Sequence, residues 1–160
     1  MSSFTAGRQG ARGFSLIEML VVIVIVGLLA KIAFPRYHEM KLQAVAGKAA
    51  GDFHAIKLAA YAFHTENQQW PVEVSAGTVP PELVPDLPDG FSFNRDEYTM
   101  DWENWVLPNG LPQFPQSRML IALTITTSDT TLASIILLKL GHSTLHFTVG
   151  NTSTFAMVEM

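Results

Sequence analysis

Between Phe14 and Phe34 lie 21 residues, FSLIEMLVVIVIVGLLAKIAF, of which only Ser15, Glu18 and Lys31 are clearly polar. At 1.5 Å per residue this run makes a helix of about 30 Å, the thickness of one bilayer's hydrocarbon. An apolar surface of that size is driven out of water, so any fold open to the chain must place it in lipid or against other protein. The run also carries a carboxylate. A charge at that depth costs about 2.5–3.5 kcal/mol on insertion scales, so it needs a partner or a task. No base inside the run lies within a turn of Glu18.

The flanks set the direction. The preceding stretch contains Arg8 and Arg12 and no acid, so the positive-inside tendency keeps the N-terminus cytoplasmic and sends the remainder across the membrane. A secretory signal peptide would begin in the same way but finish in a small-x-small cleavage site. Here the run ends in AKIAFPRY, where Lys31 and Phe34 break that pattern. A plain signal anchor accounts for everything except Glu18.

Gly13, followed by Phe14-Ser15-Leu16-Ile17-Glu18 and a β-branched apolar run, resembles the N-terminal signature of type IV pilins and type II secretion pseudopilins. The resemblance implies that a prepilin peptidase cleaves between Gly13 and Phe14 on the cytoplasmic side and methylates Phe14. It also implies that Glu18 meets the N-terminal amine of a neighbouring subunit during assembly. Physically, a buried carboxylate facing an ammonium in low dielectric regains much of its desolvation cost, and the missing partner is then on another chain. Such a pair would fix subunit register, as a single buried polar residue does in a coiled coil. The alternative is a Glu18 that snorkels or sits protonated. Gly27 weakens the helix by about 1 kcal/mol relative to Ala, and Pro35 removes a hydrogen bond to the Lys31 carbonyl. By resemblance, residues from Gly27 to Pro35 are helical or kinked in the monomer and melt on polymerisation; an ordinary kink at the membrane exit is the other reading.

Beyond about residue 35 the resemblance is to architecture. Val45, Ala49, Phe53, Ile56, Ala60 and Phe63 recur at steps of four, four, three, four and three, one apolar face of a helix. The pattern predicts a helix from about Phe14 to about Thr65 whose second half docks on a sheet. Its alanines, with Gly47 and Gly51, suit close packing against neighbouring helices or a tight contact within the chain. Eight of the nine prolines fall between Pro71 and Pro115, which predicts a long connection of turns and short strands. By resemblance this is the partner-facing region, although Trp70, Trp102 and Trp105 also suit the caps of a small core. MLIALTIT predicts a strand from Met119 to Thr126. Residues 129–141 suit a short helix capped by Asp129 and ended by Gly141, or a buried strand. STLHFTV-GN-TSTFAMV predicts a hairpin with a two-residue turn of the primed kind at Gly150-Asn151. The expected fold class is α+β, a long N-terminal helix, half of it transmembrane, packed on a C-terminal antiparallel sheet. The expected domains are a leader (1–13), an assembly helix (14–35) and a periplasmic pilin-like domain (36–160).

Composition removes several functions. There are no cysteines, hence no disulfides, thiolate metal sites or Cys nucleophiles. Between Glu66 and Glu103 nine acids face the single base Arg95, so that region offers nucleic acid no electrostatic footprint. Asp89, Asp96, Glu97, Asp101 and Glu103 supply oxygen ligands, with Asp96 and Asp101 the calcium candidates; the resemblance implies calcium in a loop near the C-terminus, and this cluster lies earlier in the chain. The cluster lacks the dense Asp-x-Asp-x-Asp-Gly spacing of a dedicated loop, and a solvated acidic face is the preferred reading, with no cofactor expected. His142 and His146, four apart at a strand start with no third ligand, read as exposed histidines rather than a zinc site. Asn151-Thr152-Ser153 fits a glycosylation sequon by pattern alone. No Ser/His/Asp ordering, phosphate loop or inward carboxylate pair stands out, and no enzyme is expected.

The expectation is therefore a single-pass protein of a bacterial inner membrane that polymerises into a periplasmic or extracellular filament. It would be a type II secretion pseudopilin, with a major or minor pilin of a surface fibre (adhesion, motility or DNA uptake) as the alternative. The implied partners are other copies and other pilins or pseudopilins, the prepilin peptidase, an assembly platform and its ATPase. A signal-anchored periplasmic binding domain is the rival from another class.

Overall fold

The computed structural model describes residues 14–109, 118–142 and 144–159. The elements run α1 (Leu16–Asn67), a 3-10 turn (Pro81–Asp86), β1 (Thr99–Val106), β2 (Met119–Thr126), α2 (Thr130–Leu140), β3 (His146–Val149) and β4 (Thr152–Glu159). The chain divides into two units between Glu39 and Met40.

In the first unit α1 is helical through both expected breakers, with Pro35 inside it. From Phe14 to Glu39 every described side chain is exposed except Ala30, which is half-buried. An exposed pair, Arg36 Nη1 to Glu39 Oε2 at 3.4 Å, adds little in that setting.

In the second unit α1 buries Leu42, Ala46, Ala49, Phe53, Ile56, Ala59 and Ala60. That is the face expected from the sequence, with Val45 and Phe63 half-buried at its edges. Gly47 and Gly51 are exposed, and a Cβ at either would meet nothing within 4 Å. A tight contact within the chain therefore does not explain them among the described residues. Gln68 closes α1 in the left-handed region (φ 57°) and its N–H donates to the His64 carbonyl at 2.8 Å.

The sheet is antiparallel, in the order β1-β2-β4-β3. Its central strand β2 reads as almost continuously apolar because both its faces are covered. Ile121, Leu123 and Ile125 join α1, α2, Trp102 and Phe155 in the main core. Leu120 and Ala122 join Ala156 in a smaller cluster edged by Trp105, Leu107, Leu145 and Phe147. A register shift between Ile121 and Ala122 interrupts the β2–β4 pairing.

Residues 130–140 are a helix, not a strand. Asp129 decides this: its side chain accepts from the N–H groups of Thr131 (2.8 Å) and Leu132 (3.1 Å), satisfying donors that a helix start leaves free. Leu132, Ile136 and Leu140, four apart, then meet the core. The expected β3–β4 hairpin forms, and Gly150 has φ 60° while Asn151 is not in the positive region, the pattern of a type II′ turn.

The stretch from Pro71 onward is less of a connection than its prolines predict. It contains the eight-residue strand β1 and contributes Leu83, Leu87, Phe93, Tyr98, Met100 and Trp102 to the core. Trp102 is fully buried and its Nε1–H donates to the Pro71 carbonyl at 3.1 Å.

Candidate functional site

The start of α1 is built by a reciprocal cap. Ser15 Oγ accepts from the Ile17 N–H at 3.3 Å, and Glu18 Oε2 accepts from the Ser15 N–H at 3.0 Å. The Met19 N–H reaches the Ser15 carbonyl at 3.2 Å. This is a capping box, Ser-x-x-Glu, in which two side chains satisfy two of the helix's free donors. The positive end of the helix dipole favours a carboxylate there by roughly 0.3–1 kcal/mol. Glu18 thus has a neutral hydrogen-bond donor in its own chain, a backbone N–H three residues earlier. The signal was present as Ser15-Leu16-Ile17-Glu18.

Around this cap the surface is bare and apolar. Phe14 is 71% exposed, Leu16 90% and Ile17 69%. An 18-residue window of α1 has mean hydropathy 2.7 with none of it buried, and by length and composition the helix can cross a membrane. A Cβ at Gly27 would meet nothing within 4 Å. Arg8, Arg12 and Gly13 lie outside the described residues.

The remaining candidates are scattered. Asp89 and Asp96 are exposed in loops. Glu97 pairs with Lys41 at 3.6 Å. Asp101 and Glu103 lie on β1 on the face opposite Trp102, and both carboxyls are raised above their ordinary values, first by burial and also by the charge of Glu73. The Thr124 hydroxyl donates to Glu103 at 2.8 Å and offsets part of that rise. Among the described residues no group of three or more His, Asp or Glu side chains is placed to hold a metal ion. His142 is exposed, and His146 Nδ1 lies 3.1 Å from the Thr144 carbonyl. Asn151 lies in the β3–β4 turn, and Thr152 and Ser153 open β4, with Ser153 buried.

The sequence missed a polar joint between α1 and the loop before β1. Asp52 Oδ2 accepts from Tyr98 Oη at 2.7 Å and from Arg95 Nε at 3.2 Å. Burial first, and then Asp52, push the Tyr98 hydroxyl far above the ordinary tyrosine value, so it remains a donor. Asp52 and its partners stand more than 40 residues apart, and no local pattern signals such a joint.

The family model described as "Prokaryotic N-terminal methylation motif" matches residues 8–33. The chain is 33% identical over 91 residues to type II secretion system core protein G of Klebsiella michiganensis, covering 52% of this chain and 64% of that protein. It is 36% identical over 77 residues to the Escherichia coli K12 protein of the same name, covering 44% and 53%. To the type IV major pilin protein PilE1 of Neisseria gonorrhoeae it is 35% identical over 71 residues, covering 44% and 43%. The matches thus span roughly half the length of these relatives. No solved structure matches the chain. Residues 8–33 thus carry the prokaryotic N-terminal methylation motif, and the chain is similar to type II secretion system core protein G and to type IV major pilin protein over part of its length.

Proposed function

We propose that the chain is a structural subunit of a pilus-like filament, held in the membrane by its N-terminal helix and polymerised through it. The observation that carries this reading is the apolar first half of α1, exposed along its length and beginning in a capped carboxylate within a methylation motif. Such a surface has two ways to leave water, lipid or the same helix of other subunits. Both are used in turn by a subunit that waits in the bilayer and is then extracted into a fibre. The basic leader supports an N-terminus on the cytoplasmic side and a domain on the other. Cleavage between Gly13 and Phe14, methylation of Phe14, and pairing of Glu18 with a neighbour's amine belong to this proposal. So do the prepilin peptidase, the platform and the ATPase as partners, and melting between Gly27 and Pro35. No step calls for catalysis by the chain itself.

Between the two filament types the reading favours a type II secretion pseudopilin, because the similarity to core protein G runs over 91 residues and that to the major pilin over 71. A pilin of a surface fibre is the second reading, favoured by the match to the major pilin. The test is to shear filaments from producing cells and seek, by mass spectrometry, the peptide that begins at methylated Phe14. Recovery chiefly in the sheared fraction means a surface fibre, and confinement to the envelope means a short secretion pseudopilus. An intact leader in both fractions would defeat the proposal. Gly13→Ala should lower cleavage, and Glu18→Ala should be processed yet enter filaments poorly; assembly of Glu18→Ala at the wild-type level would count against the role given to Glu18.

A further inference from the structure

We propose that the folded domains of two copies meet head to tail, with Leu138 of one entering an apolar hollow between residues 79 and 91 of the next and Lys139 reaching Asp89. The inference rests on the filament reading above and adds to it a contact outside the N-terminal helix. The hollow, of about 260 Å³, is lined by Val79, Val84, Leu87, Pro88 and Phe91, with Asp89 as the charged residue among them. Val84 is 58% exposed, apolar surface that association would remove from water. Asp86 and Asp89 are exposed, and neither makes an ion pair among the described residues. The base nearest in sequence, Arg95, lies 5.0 Å from the Phe91 ring but is engaged by Asp52 at 3.2 Å. The hollow thus suits an apolar side chain with a cation next to it.

The chain itself presents that combination. Among the described residues of this unit, three exposed large apolar side chains stand next to a lysine: Met40, Leu58 and Leu138. Lys41 is already paired with Glu97 at 3.6 Å, and Lys57 lies 6.0 Å from the Tyr61 ring. Lys139 is exposed and makes no ion pair among the described residues. Leu138 is 61% exposed, on the side of α2 away from Leu132, Ile136 and Leu140, which enter the core. A lysine can lay its methylene stem along an apolar wall and keep its ammonium in water, so Lys139 serves the hollow and the acid together. Hollow and leucine lie on different elements, so a copy that gives its leucine forward keeps its own hollow for the copy behind. Such a heterologous contact, where its rotation does not close a ring, builds an open helical chain, the geometry a filament needs. The opposite charges also steer the encounter and fix its register.

The chain has no cysteine of its own, which allows cross-linking without a background. Full-length Val84→Cys, Leu138→Cys and the double variant are expressed in producing cells, oxidised, and run on denaturing gels beside sheared filaments. The double variant should give a ladder of multimers and each single variant only monomer. In the double-cysteine chain, Lys139→Glu or Asp89→Lys should each lower the ladder about five-fold, the upper end of the range for an exposed ion pair, and the two changes together should restore it. Circular dichroism identical to wild type separates a lost contact from a lost fold. Dimers from Leu138→Cys alone, a disulfide within one chain, or an adduct of Val84→Cys with another protein would each give these surfaces a different partner and overturn the proposal. So would charge reversals that leave the ladder unchanged, or filaments without a ladder. A ladder without filaments keeps the contact and defeats the filament reading; the absence of both defeats both.

Discussion

Asp101 and Glu103 are two carboxyls whose ionisation the folded domain resists. Burial is the larger cause for both, and the charge of Glu73 adds to it. Their folded-state values lie above the ordinary 3.8 and 4.5, so the folded chain binds these protons more readily than the unfolded chain does. Their contribution to stability is complete below the ordinary carboxylate range and is lost as pH rises through the raised values. Urea midpoints of the domain should therefore show a component that falls from about pH 4 towards neutrality. Asp101→Asn with Glu103→Gln should flatten this component and raise the midpoint at pH 7. A double variant with the wild-type slope would show that other groups set the pH dependence. In the sequence these residues stand in an acidic run, Asp101 there as a calcium candidate, and their burial was not legible because which acids a strand turns toward a neighbour depends on long-range pairing. Ser15 and Glu18 are the opposite case: their contact is local and the four-residue signature sufficed, yet attention to charge alone passed over a backbone donor.

Helix ends are where individual elements of this fold can be weakened or improved most predictably. Asp129→Ala removes an acceptor shared by two backbone N–H groups and should destabilise the domain by about 1 kcal/mol. Gln68→Gly relieves a side chain held at φ 57° and should stabilise by up to about 1 kcal/mol. Paired thermal or urea denaturation of the two variants checks both signs, and a loss of stability in Gln68→Gly would mean that the glutamine's own contacts outweigh its backbone strain. The ends of α1 were legible to within a few residues, since its apolar spacing is sustained and Pro71 follows. For residues 129–141 hydrophobicity alone left helix and strand open, and the Asp129 cap decides. β1 was the element missed. Its Met100-Asp101-Trp102-Glu103 stretch alternates with period two, but prolines and acids on both sides gave the region the composition of a loop.

At the scale of the whole chain, the two units differ in what protects their apolar surface. Residues Met40–Met160 have a core of their own drawn from α1, α2 and the sheet. The apolar stretch of α1 near the N-terminus has none of its residues buried. A chain beginning at Met40 should thus be soluble, helical and sheet-rich by circular dichroism, and cooperative in unfolding, whereas the full-length chain should need detergent. Aggregation of the shortened chain without detergent would mean that part of the core had been lost with the N-terminal segment. The order β1-β2-β4-β3 was beyond the reach of local pattern, because it joins β2 to β4 across α2 and β3. That single non-local joint has a kinetic consequence. β1 with β2, and β3 with β4, are neighbours in sequence and can pair by short closures, but Thr126 meets Thr152 only by closing a 26-residue separation. Slow steps in folding belong to such closures. Destabilising changes on the β2–β4 seam, such as Thr154→Gly, should slow refolding in a stopped-flow experiment, while changes on the outer strand β3 should chiefly hasten unfolding.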